Sequence, residues 1–257
     1  MARAYLCRTY SPQEHDIAGL RVNEFVRFIK AQGIGMYEGE CELPQRAACA
    51  RAGIVTYGKN NFVYTPEDGS FNILFTFLVD TVLDYDEPTV RRDCPEGCKL
   101  CMEACPTHAI AAPGRLMPHS CAMDNQQNPL GAFPQELWDK FDQRIHGCDT
   151  CQLACPRNAG VLKHANRKDP LLELLKDKMD LGKVLLLDDA YYEEVVRPLM
   201  YNYICDMDIF RRNAAIAIGN SGEQKYLPQL KQARALYADK PELLKAIEWA
   251  MARLQVQ

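Results

Sequence analysis

The chain has 257 residues, with 30 Lys+Arg against 34 Asp+Glu, a formal net charge of −4 and 47% hydrophobic residues. This size and composition are typical of a globular protein of one or two domains, without the basic excess of many nucleic-acid-binding proteins. The longest apolar stretch, residues 71–79, is much shorter than the roughly 20 residues that span a bilayer, so no membrane segment is predicted.

Residues 1–5 lead into polar sequence without the apolar core of a secretion signal. The chain also contains twelve cysteines. In a reducing compartment cysteines remain thiols and act as metal ligands more often than as disulfides. We therefore predict a cytoplasmic protein whose cysteines hold metal.

Helix and strand patterns divide the first third of the chain. Residues 11–14 (Ser-Pro-Gln-Glu) form a capping box, and apolar residues at helical spacing follow as far as Gly33. Residues 45–52 predict a second short helix that ends at Gly53. Residues 71–83, rich in Phe, Ile, Leu, Val and Thr, predict a buried strand or hairpin arm. A domain boundary is predicted at residues 84–88.

The last third of the chain is rich in Leu, Ala, Lys and Glu at helical spacing. A helix around residues 210–218 is predicted to stop at the turn cluster 219–222. Pro241 marks the start of another helix, whose apolar stripe contains Leu243, Ile247, Ala250 and Leu254. The tail is therefore predicted to be helical, with paired helices in the style of a short repeat array.

The middle of the chain carries two cysteine motifs, each with a Cys-x2-Cys-x3-Cys-Pro core. This pattern is typical of bacterial two-cluster ferredoxins, in which the last cysteine of each motif ligates the other [4Fe–4S] cluster. The predicted ligands of the first cluster are Cys94, Cys98, Cys101 and Cys155. The predicted ligands of the second cluster are Cys105, Cys121, Cys148 and Cys151.

Two departures from the ferredoxin pattern leave the outer ligands open. One extra residue separates Cys94 from Cys98, and a long gap separates Cys121 from Cys148. Structural zinc is the alternative, because Cys-x2-Cys pairs also occur in zinc ribbons.

The other four cysteines are predicted to be small buried hydrophobic residues: Cys7, Cys41, Cys49 and Cys205. Cys41 is the least certain of them because acidic residues surround it. His146 lies two residues from Cys148 and is a candidate for a hydrogen bond that tunes a cluster.

Four stretches make the chain resemble the epoxyqueuosine reductase family and, more distantly, the corrinoid reductive dehalogenases. The first is Arg-Ala-Ala-Cys-Ala-Arg-Ala-Gly at residues 46–53, followed by Gly-Lys-Asn at residues 58–60. The two cysteine motifs, at residues 93–110 and 144–156, are similar to those of the family. Residues 211–222 (Arg-Arg-Asn-Ala-Ala-Ile-Ala-Ile-Gly-Asn-Ser-Gly) resemble its HEAT-like tail.

The resemblance implies a cobalamin that receives electrons through the two clusters and reduces the epoxide of a modified tRNA wobble base. It implies a corrinoid site lined by Arg46, Arg51, Gly58, Lys59 and Asn60, with an ordinary turn as the alternative for residues 58–60. The family's proton-donating aspartate falls on Gly39 in this sequence, so the candidate donors are the flanking Glu38 and Glu40, with a solvated acidic turn as the alternative.

The resemblance also implies partners. They are a low-potential electron donor of the ferredoxin or flavodoxin type, tRNA, and a partner chain that supplies the corrinoid-domain residues which the family carries ahead of this region. The tail weakens the tRNA prediction, because residues 169–257 contain 12 Lys+Arg and 14 Asp+Glu, a net charge of 12 − 14 = −2. A basic run beyond the second motif is a candidate phosphate or corrinoid contact, or a solvated surface: Arg157, Lys163, His164, Arg167 and Lys168.

The predicted fold class is α+β in three parts. They are a truncated α/β corrinoid-domain remnant at residues 1–88, a double [4Fe–4S] ferredoxin-like module at 89–168 and an all-α HEAT-like tail at 169–257. The predicted function is a cobalamin-dependent iron–sulfur reductase for epoxyqueuosine in tRNA or for a paralogous substrate. The alternatives are a ferredoxin-like electron carrier without its own corrinoid chemistry and an inactive interaction protein.

Overall fold

The computed structural model describes residues 3–4, 17–37, 43–84, 86–88, 93–164, 170, 173, 176–197 and 206–255. The chain divides into two compact units, each built from separated stretches of sequence. The helical unit consists of Met1–Asp16, Pro118–Asp149 and Lys168–Gln257. The hairpin unit consists of Ile17–Met117 and Thr150–Arg167.

The described secondary structure is mostly helical. In chain order the α-helices are α1 (Ile17–Ala31), α2 (Gln45–Arg51), α3 (Leu100–Ala104), α4 (Ala122–Gln127), α5 (Thr150–Leu153), α6 (Ala159–His164), α7 (Leu181–Leu185), α8 (Asp189–Tyr191), α9 (Met207–Ser221), α10 (Leu227–Leu236) and α11 (Pro241–Gln255). One π-helical segment, Tyr192–Val196, continues from α8. The 3₁₀ segments are Pro118–Ser120, Gln135–Lys140, Pro156–Asn158, Lys176–Lys178 and Gln224–Tyr226.

In the part of the chain that the structure describes, six short strands form three two-stranded sheets. The strands are β1 (Arg3–Ala4), β2 (Thr56–Tyr57), β3 (Val63–Tyr64), β4 (Ile110–Ala112), β5 (Arg115–Leu116) and β6 (Arg144–His146). β1 pairs in parallel with β6 in the helical unit, and β2–β3 and β4–β5 are antiparallel hairpins in the hairpin unit. The fold therefore contains both helix and sheet and is rich in helix, which agrees with the predicted α+β class.

The core of the helical unit lies among α7, α9, α10 and α11. The stripe predicted for the last helix is confirmed, because Leu243, Ile247, Ala250 and Leu254 are all fully buried. α9 begins at an N-cap, Asp206, whose side chain accepts from the Asp208 amide, and it continues through the predicted turn cluster to Gly222. Gly222 adopts φ +68°, the left-handed C-cap conformation that glycine provides.

The side chain of Arg212, on α9, forms hydrogen bonds with backbone carbonyl groups at the C-terminal end of α4. Its guanidinium donates to the carbonyl oxygens of Asn125, Gln126, Asn128 and Pro129 at 2.8–3.2 Å. Carbonyl groups in the last turn of a helix have no partner within the helix, so this side chain acts as a C-terminal cap. Burial lowers the pKa of Arg212 to about 10, and the group is still a cation at neutral pH.

The hairpin unit has a small core. Cys49, Ala50, Val55 and Val63 are buried in it, so the prediction for Cys49 as a buried hydrophobic residue is confirmed. Burial raises the pKa of this thiol. Cys7, Cys41 and Cys205 lie outside the described residues.

The predicted helix at residues 45–52 is confirmed as α2, and Gly53 adopts φ +78° at its end. The helix predicted after the capping box is α1, although residues 11–14 themselves lie outside the described residues.

The buried strand predicted for residues 71–83 is wrong. All of these residues are described, and they contain only one isolated antiparallel bridge, between Met36 and Val79. Ile73, Phe75 and Leu78 are each more than two-fifths exposed. The apolar composition was compatible with a strand, but a strand also needs a neighbouring backbone over several residues, and the described part of the chain provides it only at this bridge.

Among the described residues, no helix has the length and apolar character required to cross a membrane. The predicted boundaries at residues 88/89 and 168/169 stay predictions.

Candidate iron–sulfur site

The four cysteines predicted for the first cluster line one hollow in the hairpin unit. Cys94, Cys98, Cys101 and Cys155 surround it together with Lys59, Asn60, Tyr64, Pro95, Pro156 and Arg157. Cys155 lies 54 residues beyond Cys101 in the sequence and was assigned to this set from the spacing of the cysteine motifs alone. The structure thus brings these four thiols together within a single unit.

Local turns position the cysteines of the first motif. The Cys98 amide donates to the Pro95 carbonyl at 3.2 Å, and Gly97 adopts φ +69°, a conformation that glycine takes without strain. α3 then begins at Leu100 and carries Cys101 into the interior. Cys155 ends the α5 turn and is followed by Pro156, the first residue of a 3₁₀ segment.

The chemistry of this donor set fits a [4Fe–4S] cluster. Burial, followed by the nearby Cys155 and Cys94 thiolates, raises the pKa of Cys101. Thiolates held together away from water repel one another, and a cationic metal centre relieves that repulsion. Four cysteine thiolates are the ligand set of a [4Fe–4S] cluster. Although these four thiols line one hollow, no group of three or more His, Cys, Asp or Glu in the described ranges is placed so that it could hold a metal ion.

The β2–β3 hairpin joins both cysteine motifs of the hollow. The Tyr57 carbonyl accepts from the Asp93 amide at 3.0 Å, immediately before Cys94. The guanidinium of Arg157 donates to Thr56 Oγ1 at 2.6 Å and lies over the Tyr64 ring, 4.1 Å from its centroid. Burial and a hydrogen bond to Cys155 raise the pKa of Tyr64, which keeps its phenol protonated.

A buried polar network surrounds the second cysteine motif, next to Cys151 and Cys155. Asn158 Nδ2 donates to Ser70 Oγ at 2.8 Å and to the Gln152 carbonyl at 2.9 Å, and Ser70 Oγ donates to Gln152 Oε1 at 2.8 Å. All three residues are buried. Ser70, Gln152, Asn158 and Tyr64 were not among the predicted site residues. The position of Asn158 directly after Cys-Pro-Arg was an available signal, whereas Tyr64 had none.

The second predicted set is divided between the two units. Cys105 and Cys151 belong to the hairpin unit, and Cys121 and Cys148 to the helical unit. Cys105 Sγ accepts from the Ala109 amide at 3.3 Å, and Asn125 Nδ2 donates to the Cys121 carbonyl at 3.0 Å. The assignment of these four residues to one cluster stays a prediction.

His146 is almost fully buried, and burial lowers its pKa to about 4, so its imidazole is neutral. Its Nδ1 makes no hydrogen bond to any described residue.

The residues predicted for a corrinoid site are only partly together. Gly58, Lys59 and Asn60 form the turn between β2 and β3, and Lys59 and Asn60 line the cysteine hollow. Arg46 Nη1 donates to the carbonyl of Asn61 at 2.7 Å and is therefore attached to the same turn. Arg51 is exposed at the end of α2. Their role toward a corrinoid stays a prediction, and Glu38, Gly39 and Glu40 lie outside the described residues.

Comparison with known proteins confirms the resemblance. The sequence matches the 4Fe-4S double cluster binding domain family over residues 94–158. An epoxyqueuosine reductase of Staphylococcus aureus is 29% identical over 212 residues, which are 82% of this chain and 54% of the relative. An epoxyqueuosine reductase of Bacillus subtilis is 28% identical over 259 residues, 98% of this chain and 65% of the relative.

Solved structures of epoxyqueuosine reductases are also similar to this chain. The Bacillus subtilis epoxyqueuosine reductase structure matches with a TM-score of 0.81 and 27% identity, covering 98% of this chain and 67% of that one. A crystal structure of epoxyqueuosine reductase with an epoxyqueuosine-modified tRNA stem loop matches with a TM-score of 0.77 and 25% identity, covering 98% and 76%. The chain therefore spans between about half and two thirds of the length of the curated relatives named here.

Proposed function

Because this chain is homologous to the epoxyqueuosine reductases, we propose that it is an iron–sulfur oxidoreductase of the same type. It passes electrons through two [4Fe–4S] clusters to a cobalamin that reduces epoxyqueuosine in tRNA or a paralogous substrate. The observation that carries this proposal is the gathering of Cys94, Cys98, Cys101 and Cys155 around one hollow, within the segment that matches a double cluster domain.

The protein's own contribution is to hold the clusters and control their surroundings. The clusters, when bound, supply one-electron transfer. Cys94, Cys98, Cys101 and Cys155 would hold the first, and Cys105, Cys121, Cys148 and Cys151 would hold the second. The buried network of Ser70, Gln152 and Asn158 keeps the loop that carries Cys151 and Cys155 in place.

The remaining assignments are proposals that the family relationship supports. Arg46 and Arg51 contact the cobalamin together with the turn at residues 58–60, and Glu38 or Glu40 donates the proton. A ferredoxin or flavodoxin supplies the electrons in the cytoplasm. The last helix, α11, packs against both α9 and α10, which supports a HEAT-like arrangement of the tail.

The proposal is tested by anaerobic reconstitution with iron and sulfide, followed by titration with cob(II)alamin. We expect two reducible clusters, a saturable change in the cobalamin spectrum and conversion of an epoxyqueuosine-containing anticodon stem loop by the reduced protein. A chain that binds cobalamin but leaves the stem loop unchanged is a paralogue with another substrate. Two reducible clusters without any cobalamin binding contradict the reductase proposal.

The second candidate is an electron carrier without corrinoid chemistry of its own. It is favoured by the contacts of Lys59 and Asn60, which lie on the cysteine hollow of their own unit and so have a role there in the absence of a corrinoid. We expect such a carrier to reduce a partner protein at the same rate with and without added cobalamin.

A further inference from the structure

The turn between β2 and β3 contacts the first cysteine set at two points. The Lys59 amide donates to Cys94 Sγ at 3.3 Å, and Lys59 Nζ donates to the Cys98 carbonyl oxygen at 2.7 Å. The Lys59 carbonyl accepts from the Gly114 amide at 2.7 Å. The backbone and the side chain of Lys59 are therefore both fixed against the hollow.

The neighbouring residues leave this turn little freedom. A β-carbon at Gly58 would lie 2.5 Å from Asn60 Oδ1 and 2.6 Å from Tyr64 Cε2. Asn60 is buried, and its Nδ2 donates to the Tyr64 hydroxyl at 2.9 Å. Lys59 therefore occupies a defined position.

Apart from the four cysteines, the charged residues around the hollow are all positive. Its described lining contains two cations, Lys59 and Arg157, and no carboxylate. Lys59 is only partly exposed, so water and salt screen its ammonium group less than they screen a surface charge. A cluster held by four thiolates is an anion, and it becomes more negative when it is reduced.

We propose that the ammonium group of Lys59 raises the reduction potential of the first [4Fe–4S] cluster by its charge. The proposal rests on the cluster assignment within the proposed function and not on cobalamin or tRNA. One electron from a low-potential donor enters the cluster, no proton is transferred, and the ammonium group favours the reduced form by attracting its additional negative charge.

The size of the effect follows from Coulomb attraction. Lys59 contacts two residues of the cysteine set, and at an effective dielectric constant of about 20 a unit charge this close changes the ratio of reduced to oxidised cluster by about tenfold or more. A tenfold change in a one-electron couple corresponds to about 59 mV. We therefore expect Lys59→Met to lower the reduced fraction of this cluster by roughly that factor at a fixed potential.

The test is an EPR-monitored redox titration of the reconstituted chain, with iron content measured first. The step that disappears in Cys94→Ser identifies the first cluster. Lys59→Met and Lys59→Gln remove the charge, and glutamine retains a donor for the Cys98 carbonyl. Lys59→Arg retains the charge, and Lys30→Met removes a lysine from α1, which does not line the hollow.

We expect a more negative potential for Lys59→Met and Lys59→Gln, and the wild-type potential for Lys59→Arg and Lys30→Met. A wild-type potential in fully loaded Lys59→Gln overturns the proposal. An equal shift in Lys59→Arg overturns it too, because the effect then depends on packing and not on charge. If Lys59→Met takes up less iron than wild type, the reduction potential of Lys59→Gln decides the outcome. A wild type that loads no iron refutes the cluster assignment itself, which is a different result from an unshifted potential.

Discussion

Arg212 is expected to be one of the largest single contributors to the stability of the helical unit. Its side chain is 1% exposed, and its guanidinium donates to four carbonyl groups at the end of α4. The substitution Arg212→Met keeps much of the apolar stem of the side chain and removes every one of these donors. Of the four acceptors, Gln126 O retains another donor, from Asn213 Nδ2 at 2.9 Å.

The expected cost follows from the acceptors that lose their donor. A buried acceptor that is left unsatisfied costs about 1–3 kcal/mol. Asn125 is fully buried, whereas Asn128 and Pro129 are not, so water replaces part of the loss at those two residues. Removal of a buried cation returns part of its desolvation cost, which is the same cost that lowers the pKa of Arg212. We expect a net loss of about 3 kcal/mol in the free energy of unfolding.

The measurement is urea denaturation of wild type and variants, followed by far-UV circular dichroism. Arg234→Met is the matched control because Arg234 is exposed on α10, and it should change stability by no more than about 0.5 kcal/mol. Arg212→Lys should be intermediate, since an ammonium group cannot reach all four carbonyls with the fork of a guanidinium. The reasoning is refuted if Arg212→Met loses less than about 1 kcal/mol or no more than Arg234→Met.

Three further predictions follow from packing and charge. Gly58→Ala should lower the iron content of the first cluster and destabilise the chain by about 1–3 kcal/mol, because the new β-carbon would collide with Asn60 Oδ1 and the Tyr64 ring. The control is Gly160→Ala in α6, where a β-carbon has open space, and it should leave the iron content of the reconstituted protein unchanged. Leu254→Ala should cost about 2–5 kcal/mol in urea denaturation, against less than about 1 kcal/mol for the 59% exposed Leu236, and equal losses would contradict the packing. Asp208 is partly buried, which raises its pKa, but hydrogen bonds from the Lys240 and Arg211 side chains outweigh burial and hold the pKa below 3.8. The stability that this carboxylate provides is therefore present above pH 3.8 and lost as pH falls below it, so Asp208→Asn should flatten the acid limb of the stability–pH curve, and an unchanged limb would argue against these contacts.

Local sequence signals predicted local structure well. The periodic stripe of α11, the α2 helix and the cysteine motifs are features whose cause lies within a few neighbouring residues. Residues 71–83 show the limit of such signals. Their apolar composition is the same whether or not another backbone lies beside them, and the ladder that a strand requires is a non-local property.

The surroundings of the candidate site were not predictable for the same reason. The contacts of Lys59 with Cys94 and Cys98 cross 35 and 39 residues, and the contact of Arg157 with Thr56 crosses 101. The family resemblance directed attention to the turn at residues 58–60 as part of a corrinoid site. The contacts of this turn with Cys94 and Cys98 could be seen only in the three-dimensional structure.

Cys155, the last cysteine of the second motif, is expected to complete the ligand set of the first cluster. The most direct test is EPR and iron analysis of reconstituted Cys101→Ser, Cys151→Ser and Cys155→Ser, beside a wild type that should hold about eight iron atoms per chain. We predict that Cys101→Ser and Cys155→Ser lose or alter the same spectral species, and that Cys151→Ser affects the other one. The account is contradicted if Cys155→Ser and Cys151→Ser alter the same species, or if the wild type binds zinc with little iron.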